Sequence, residues 1–135
     1  MIHLDSCLLI DLFRETQRDR PGPAFDIMES FDDDEILATS VHVVCELRAG
    51  AELSRSALKE HEGLDRLFGG LLIRYPDASF PLLYGRLLAS IHRAKGTISA
   101  MDLLIATAAL LDDAPLVTRN LKHFSRVPGL RLLGY

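Results

Sequence analysis

Short apolar runs alternate along this chain with longer stretches of helical spacing, and that alternation limits the possible folds more than any other feature. Ile2 to Leu4 reads as a first strand that stops at Asp5-Ser6, a good N-cap pair for the helix that Leu8, Leu9, Leu12 and Phe13 carry to about Arg14. Residues 18–23 read as a loop in which Pro21 or Pro23 opens a second helix, with Phe25, Ile27, Met28 and Phe31 inward and the acids at 32–35 ending it. Ile36 to Thr39 is the second strand, Ser40 caps a helix to about Leu53, and Ser56 to Phe68 forms another that ends at Gly69-Gly70. A third strand at Leu71–Tyr75 precedes a long helix, Ser79–Lys95, broken by Gly96. Ser99 starts a helix that ends near Asp112, followed by a strand at Leu116–Thr118, a helical turn at Leu121–Phe124 and a short strand at Arg131–Leu133. Apolar strands separated by helices imply an α/β fold with a mainly parallel sheet of four to five strands, covered on both faces. With 135 residues, no repeat and no long linker, the chain reads as one domain, 1–135.

Several function classes are disfavoured. No stretch approaches the ~18 apolar residues of a membrane span. The start, Met1-Ile2-His3-Leu4-Asp5, lacks the basic and apolar regions of an export signal, so the expected location is cytoplasmic. Cys7 and Cys45, both in apolar segments and not in a paired-Cys motif, are expected to be buried, reduced thiols. Net charge is −4, yet from Ala114 to Tyr135 there are Arg119, Lys122, Arg126 and Arg131 and no acid. A protein that binds RNA at an acidic metal site would show such a split, because metals offset the carboxylates while arginines meet phosphates. A basic tail with no ligand shows it equally well.

In an open parallel sheet the strand C-termini and helix N-termini share one rim, where ligands bind. Asp5 ends the first strand, and Thr39 and Ser40 end the second. Glu46 lies in the second turn of the next helix, with its side chain leaning back toward the rim. Asp102 is in the first turn of the Ser99 helix, and Thr118, Arg119 and Asn120 follow the fourth strand. Each acid also has a bland reading: Asp5 as an N-cap, Glu46 paired to His42, and Asp102 in a capping box with Ser99. Asp102 is nonetheless the only charged residue between Gly96 and Leu111, in a helix apolar almost all round. A carboxylate beside a core is costly unless paired or bound to a cation, which favours a metal ligand. Three oxygen ligands suit Mg²⁺ or Mn²⁺, whereas the scattered histidines lack zinc-site spacing. No GxSxG, phosphate-loop or dinucleotide fingerprint occurs. A phosphoacceptor signalling domain would need an acidic pair after strand one, which is missing.

Four segments together resemble a known family. LDS at 4–6 and ATSVHVVCELRAG at 38–50 resemble the first two acidic motifs of PIN domains, and KGTISAMDLLIATAAL at 95–110 resembles the third. LVTRNLKHFSRVPGL at 116–130 resembles the closing segment of VapC-type toxins. The resemblance implies a three-layer α/β/α domain whose acidic pocket binds Mg²⁺ or Mn²⁺ and hydrolyses RNA: a toxin ribonuclease, dimeric, and held inactive by a small VapB-like antitoxin. Asp5, Glu46 and Asp102 match the acidic positions. Asn120 stands where some PIN domains carry a fourth acid, which questions a second metal site, and Ser6-Cys7 replaces the more usual Thr-Asn. The alternative is a catalytically inactive PIN-like module that binds RNA or protein.

Overall fold

A computed structural model describes all residues, 1–135. Strand β1 (Ile2–Leu4) is wholly buried and lies at the centre of the sheet. An apolar triplet this short can form a stable strand only with a neighbour on each side, and β2 (Leu37–Ser40) and β4 (Leu116–Val117) supply them. Strands β3 (Leu72–Arg74) and β5 (Leu132–Leu133) close the two edges. The order is β3-β2-β1-β4-β5 and every pairing is parallel. Burial follows this order, since Leu72 and Leu133 on the edge strands are exposed while the central strands are not.

Seven helices connect and flank the strands: α1 (Ser6–Gln17), α2 (Pro23–Glu29), α3 (Val41–Glu52), α4 (Ala57–Phe68), α5 (Phe80–Arg93), α6 (Ala100–Leu111) and the single turn α7 (Leu121–Phe124). The result is a three-layer α/β/α domain. Its core joins Leu4 of β1, Leu8 and Leu9 of α1, Val43 of α3, Leu103, Ile105 and Ala106 of α6, Leu116 of β4 and Phe124 of α7. Helix α6 is buried on most of its surface, as its composition predicts.

The differences from the sequence reading are local. Helix α1 runs on to Gln17 because Glu15 caps the next helix: its carboxylate accepts hydrogen bonds from the N–H groups of Gly22, Ala24 and Phe25 at 3.0, 3.2 and 2.9 Å. Pro23, not Pro21, occupies the first turn of α2, which ends at Glu29 with Phe31 beyond it. Cys7 is buried as expected, but Cys45 is exposed. The inward residues of α3 are Val43, Leu47 and Ala51, and Cys45 stands two residues, about 200°, from Val43.

The sheet also holds one buried polar cluster. His3 Nε2 lies 2.7 Å from Asp112 Oδ2, and Arg74 grips the same carboxylate with both arms of its fork, at 2.8 and 2.6 Å. Burial lowers the His3 pKa against the opposing pull of Asp112, so the ring is neutral and donates its Nε2 hydrogen. Burial works against the Asp112 carboxylate too, but hydrogen bonds from Arg74 and His3 outweigh it and hold the group below its ordinary range. This cluster ties β1, β3 and the end of α6 together.

Candidate metal centre

From β1 the sheet grows one way through β2 and β3 and the other way through β4 and β5, so the topology reverses between β1 and β4. Helices leaving two adjacent strands in opposite directions open a crevice at the strand ends, and ligands bind there. Asp5 follows β1 and Thr118 follows β4, at this switch point.

Asp5 is 2% exposed. It caps α1, but with an unusual partner, the N–H of Ser6 at 2.7 Å, not one a residue or two further along. Its other oxygen accepts from the Thr118 hydroxyl at 2.7 Å and from the Cys7 thiol at 3.1 Å. Thr118 is itself aligned by the N–H of Asn120 at 2.9 Å. The buried Asp5 carboxylate therefore has neutral donors around it and no basic side chain, an arrangement that leaves its charge available to a cation. Cys7 answers the question raised by its position: burial and the nearby Asp5 push its pKa up, so it is a thiol that donates, not a thiolate. Thr39 serves the same rim from β2 by donating to the Leu4 carbonyl at 2.8 Å.

Ser40 caps α3 by accepting from the Val43 N–H at 3.3 Å, which orients the first two turns that carry Glu46. Glu46 is not paired to His42, whose ring instead packs against Phe80 with centroids 5.5 Å apart. Burial raises the Glu46 pKa, the Ser6 hydroxyl opposes this, and the charges of Asp5 and Asp102 add to the rise. Asp102 is partly exposed, and Ser99 Oγ accepts its N–H at 3.1 Å. The cap is thus made by Ser99, leaving the Asp102 carboxylate free to face His123 Nδ1 at 3.6 Å. Glu46 lies within electrostatic reach of both Asp5 and Asp102, although no three His, Cys, Asp or Glu side chains are close enough to enclose an ion by themselves. A hard cation that keeps several waters and takes one or two carboxylates directly fits this donor set. Asn120 reaches the same strand end, but its side chain caps nothing.

Comparisons with known proteins bear on the fold that carries these residues. The family described as PIN domain matches residues 2–130. The chain belongs to the PIN-domain family. This PIN domain is 31% identical over 112 residues to Ribonuclease VapC2 of Rickettsia felis, covering 83% of the chain and 84% of that relative. It is 28% identical over 128 residues to Ribonuclease VapC19 of Mycobacterium tuberculosis, covering 95% of each. Among solved structures it superposes on VapBC2 from Rickettsia felis, bound to a promoter DNA fragment, with a TM-score of 0.90 at 28% identity, over 100% of this chain and 99% of that one. For VapBC-1 from nontypeable Haemophilus influenzae the TM-score is 0.86 at 27% identity, over 99% and 98%.

Some of what surrounds the PIN domain's acids has no signal in the sequence. Asp11 accepts from Arg119 at 2.6 Å and from the Tyr135 hydroxyl at 2.9 Å, linking α1 to the closing segment and to Tyr135 beyond it. Burial, then the neighbouring Cys7 and Asp11, push the Tyr135 pKa far up, so the phenol stays protonated and donates. The basic C-terminal segment is not one free strip either. Arg126 is bonded to the Thr97 carbonyl and Arg131 to that of Asp113.

Proposed function

We propose that this PIN domain is a Mg²⁺- or Mn²⁺-dependent endoribonuclease, the toxin half of a toxin–antitoxin pair, with Asp5, Glu46 and Asp102 as metal-holding catalytic residues and Asn120 assisting. The observation that carries this reading is the buried Asp5 carboxylate at the β1/β4 switch point, with no basic partner and two further acids close by. The names of its relatives, ribonucleases and toxin–antitoxin complexes, support the same activity and a VapB-like antitoxin partner.

A bound divalent cation would neutralise charge on the phosphodiester and make water a better nucleophile. The chain's own part is to hold and aim. Thr118, Cys7 and the Ser6 N–H fix Asp5 in one orientation, so no reorganisation is needed when a phosphate arrives. Glu46, whose proton affinity is raised, can take a proton from an approaching water. Asp102, in the first turn of α6, would complete the acidic set.

Asp102→Asn tests this directly. It removes a ligand's charge with almost no change in volume, and the Ser99 cap on the backbone survives it. Cleavage of RNA should be lost, together with Mn²⁺ binding by calorimetry, while the melting temperature holds. Metal binding retained without any cleavage by the unaltered chain would favour the inactive binding module instead. A parallel loss of stability and activity in the variant would make Asp102 a structural cap.

A further inference from the structure

An acidic centre repels the backbone it is meant to cut, so part of the affinity for RNA must come from elsewhere on the surface. Along α1 from Asp5 lies an open cleft of about 510 Å³ whose walls carry four arginines, Arg14 of α1, Arg18 at its C-terminal cap, Arg20 of the following turn, and Arg119, together with Tyr135. Two acids also line it, and both are committed. Glu15 caps α2 through three N–H groups, and Asp11 is held by Arg119 and Tyr135. Arg14 approaches Asp11 only to 4.0 Å, and neither Arg18 nor Arg20 forms an ion pair.

We propose that this cleft binds the phosphate backbone of single-stranded RNA next to the acidic centre, a reading that rests on the ribonuclease function above. Four guanidinium groups against the two carboxylates of Asp11 and Glu15 leave the cleft with an excess of positive charge, which an anionic ligand offsets. The planar, bidentate guanidinium fork matches phosphate oxygens. The cleft also connects to the acidic centre by two hydrogen bonds: the Arg119 N–H donates to Cys7 Sγ at 3.3 Å, and Cys7 donates to Asp5. A strand whose scissile phosphate sits at Asp5 therefore runs its neighbouring phosphates past Arg119 toward Arg18 and Arg20. With its hydroxyl occupied by Asp11, Tyr135 offers a fixed aromatic ring at the cleft wall, the kind of surface on which bases stack. This continuity with the centre favours substrate over an acidic segment of an antitoxin, because an antitoxin group that reaches Asp5 would be a cation, whereas one RNA strand supplies anionic groups along the whole path.

The test is binding of a fluorescein-labelled single-stranded oligoribonucleotide to the Asp102→Asn protein in EDTA, where cleavage is blocked, followed by anisotropy across a salt series. Adding Arg14→Ala, Arg18→Ala and Arg20→Ala should weaken binding about tenfold near physiological salt and flatten the slope of log K against log salt by about 2, since each phosphate contact to a single strand contributes roughly 0.7. All three side chains are exposed, so the melting temperature should not move. If the triple variant misfolds, Arg18→Ala alone should flatten the slope by about 0.7. Unchanged affinity and slope in a folded variant would overturn the cleft while leaving the ribonuclease reading intact. Loss of antitoxin binding with RNA binding unchanged would assign the cleft to the protein partner and overturn the proposal. No binding of RNA by the Asp102→Asn parent would overturn the ribonuclease reading as well.

Discussion

Glu46 can bring a charge to the rim and Asn120 cannot, and each makes a separate prediction. Glu46 is raised in pKa by burial and by two neighbouring acids, so its carboxylate is a destabilising element until a cation arrives. Glu46→Gln should therefore raise the melting temperature of the metal-free protein at pH 7 by a few degrees, about 1 kcal/mol. The same variant should lose the further stabilisation that Mn²⁺ gives the unaltered chain. A thermal melt with and without Mn²⁺ reads both, and a fall in metal-free stability would contradict the strain inferred for this site. Asn120 supplies no charge but can hold a water or carboxylate through its amide. Asn120→Ala should lower cleavage by roughly 10–100-fold without abolishing it, as is usual when a supporting partner of a metal site is lost. Asn120→Asp should strengthen binding of a second Mn²⁺ by adding a charged oxygen. Two strong sites in the unaltered chain, measured by calorimetric titration, would assign Asn120 a different role.

At the scale of elements, the His3–Asp112–Arg74 cluster holds the central strand to the edge strand and to the end of α6. Asp112→Ala leaves a buried histidine donor and an arginine fork without their acceptor. It should destabilise the fold by about 2 kcal/mol, within the range for hydrogen bonds to charged groups and below that of a fully buried pair, because Arg74 is partly exposed. The cluster also has a pH signature. His3 titrates lower in the folded chain than its ordinary 6.5, so the unfolded chain binds more protons just below that value and stability falls as pH drops through about 6.5. Desolvated His42, whose Nε2 is buried without a partner, acts in the same sense. Asp112 titrates below its ordinary range, so its contribution is intact above about pH 4 and is lost only as pH falls through its lowered folded value. Melting curves from pH 7.5 to 5 should show a decline that His3→Gln makes shallower. A flat profile over that range would mean that His3 and His42 titrate in the folded state as freely as in the unfolded one.

At the scale of the whole molecule, the surface has apolar residues that the single-chain core does not use. Leu53 at the end of α3, Leu58 on α4, Tyr75 after β3 and Leu82 on α5 are all well exposed. We propose that such positions serve a homodimer and an antitoxin contact, with an antitoxin Arg or Lys reaching the acids Asp5 or Asp102 in place of the metal. The centre's surplus of negative charge supports this, because a fixed cation there offsets the same repulsion that a metal does. Light scattering should then give twice the chain mass, and the complex with antitoxin should show weakened Mn²⁺ binding by calorimetry. Full metal affinity in the complex would require inhibition by another route, such as blocking RNA entry.

The order and type of every element, the parallel sheet and the candidacy of Asp5, Glu46, Asp102 and Asn120 were legible in the sequence. They depend on local spacing: apolar triplets ended by caps, a helix apolar all round but for one acid, and four family-like segments in order. Element ends were less so, because α1 is prolonged by Glu15 bonding to N–H groups up to ten residues away. Only the tertiary structure decided that β1 and β4 are neighbours, which brings Thr118 to Asp5 across 113 positions. It alone decided that Cys45 faces solvent while Cys7 supports the acidic centre, and that Arg126 and Arg131 are tied to backbone while Arg18 and Arg20 are free. Hydrophobic period and capping act within a few residues and are written in the chain, whereas the sharing of one carboxylate by donors from separate strands depends on sheet order, which local spacing does not encode.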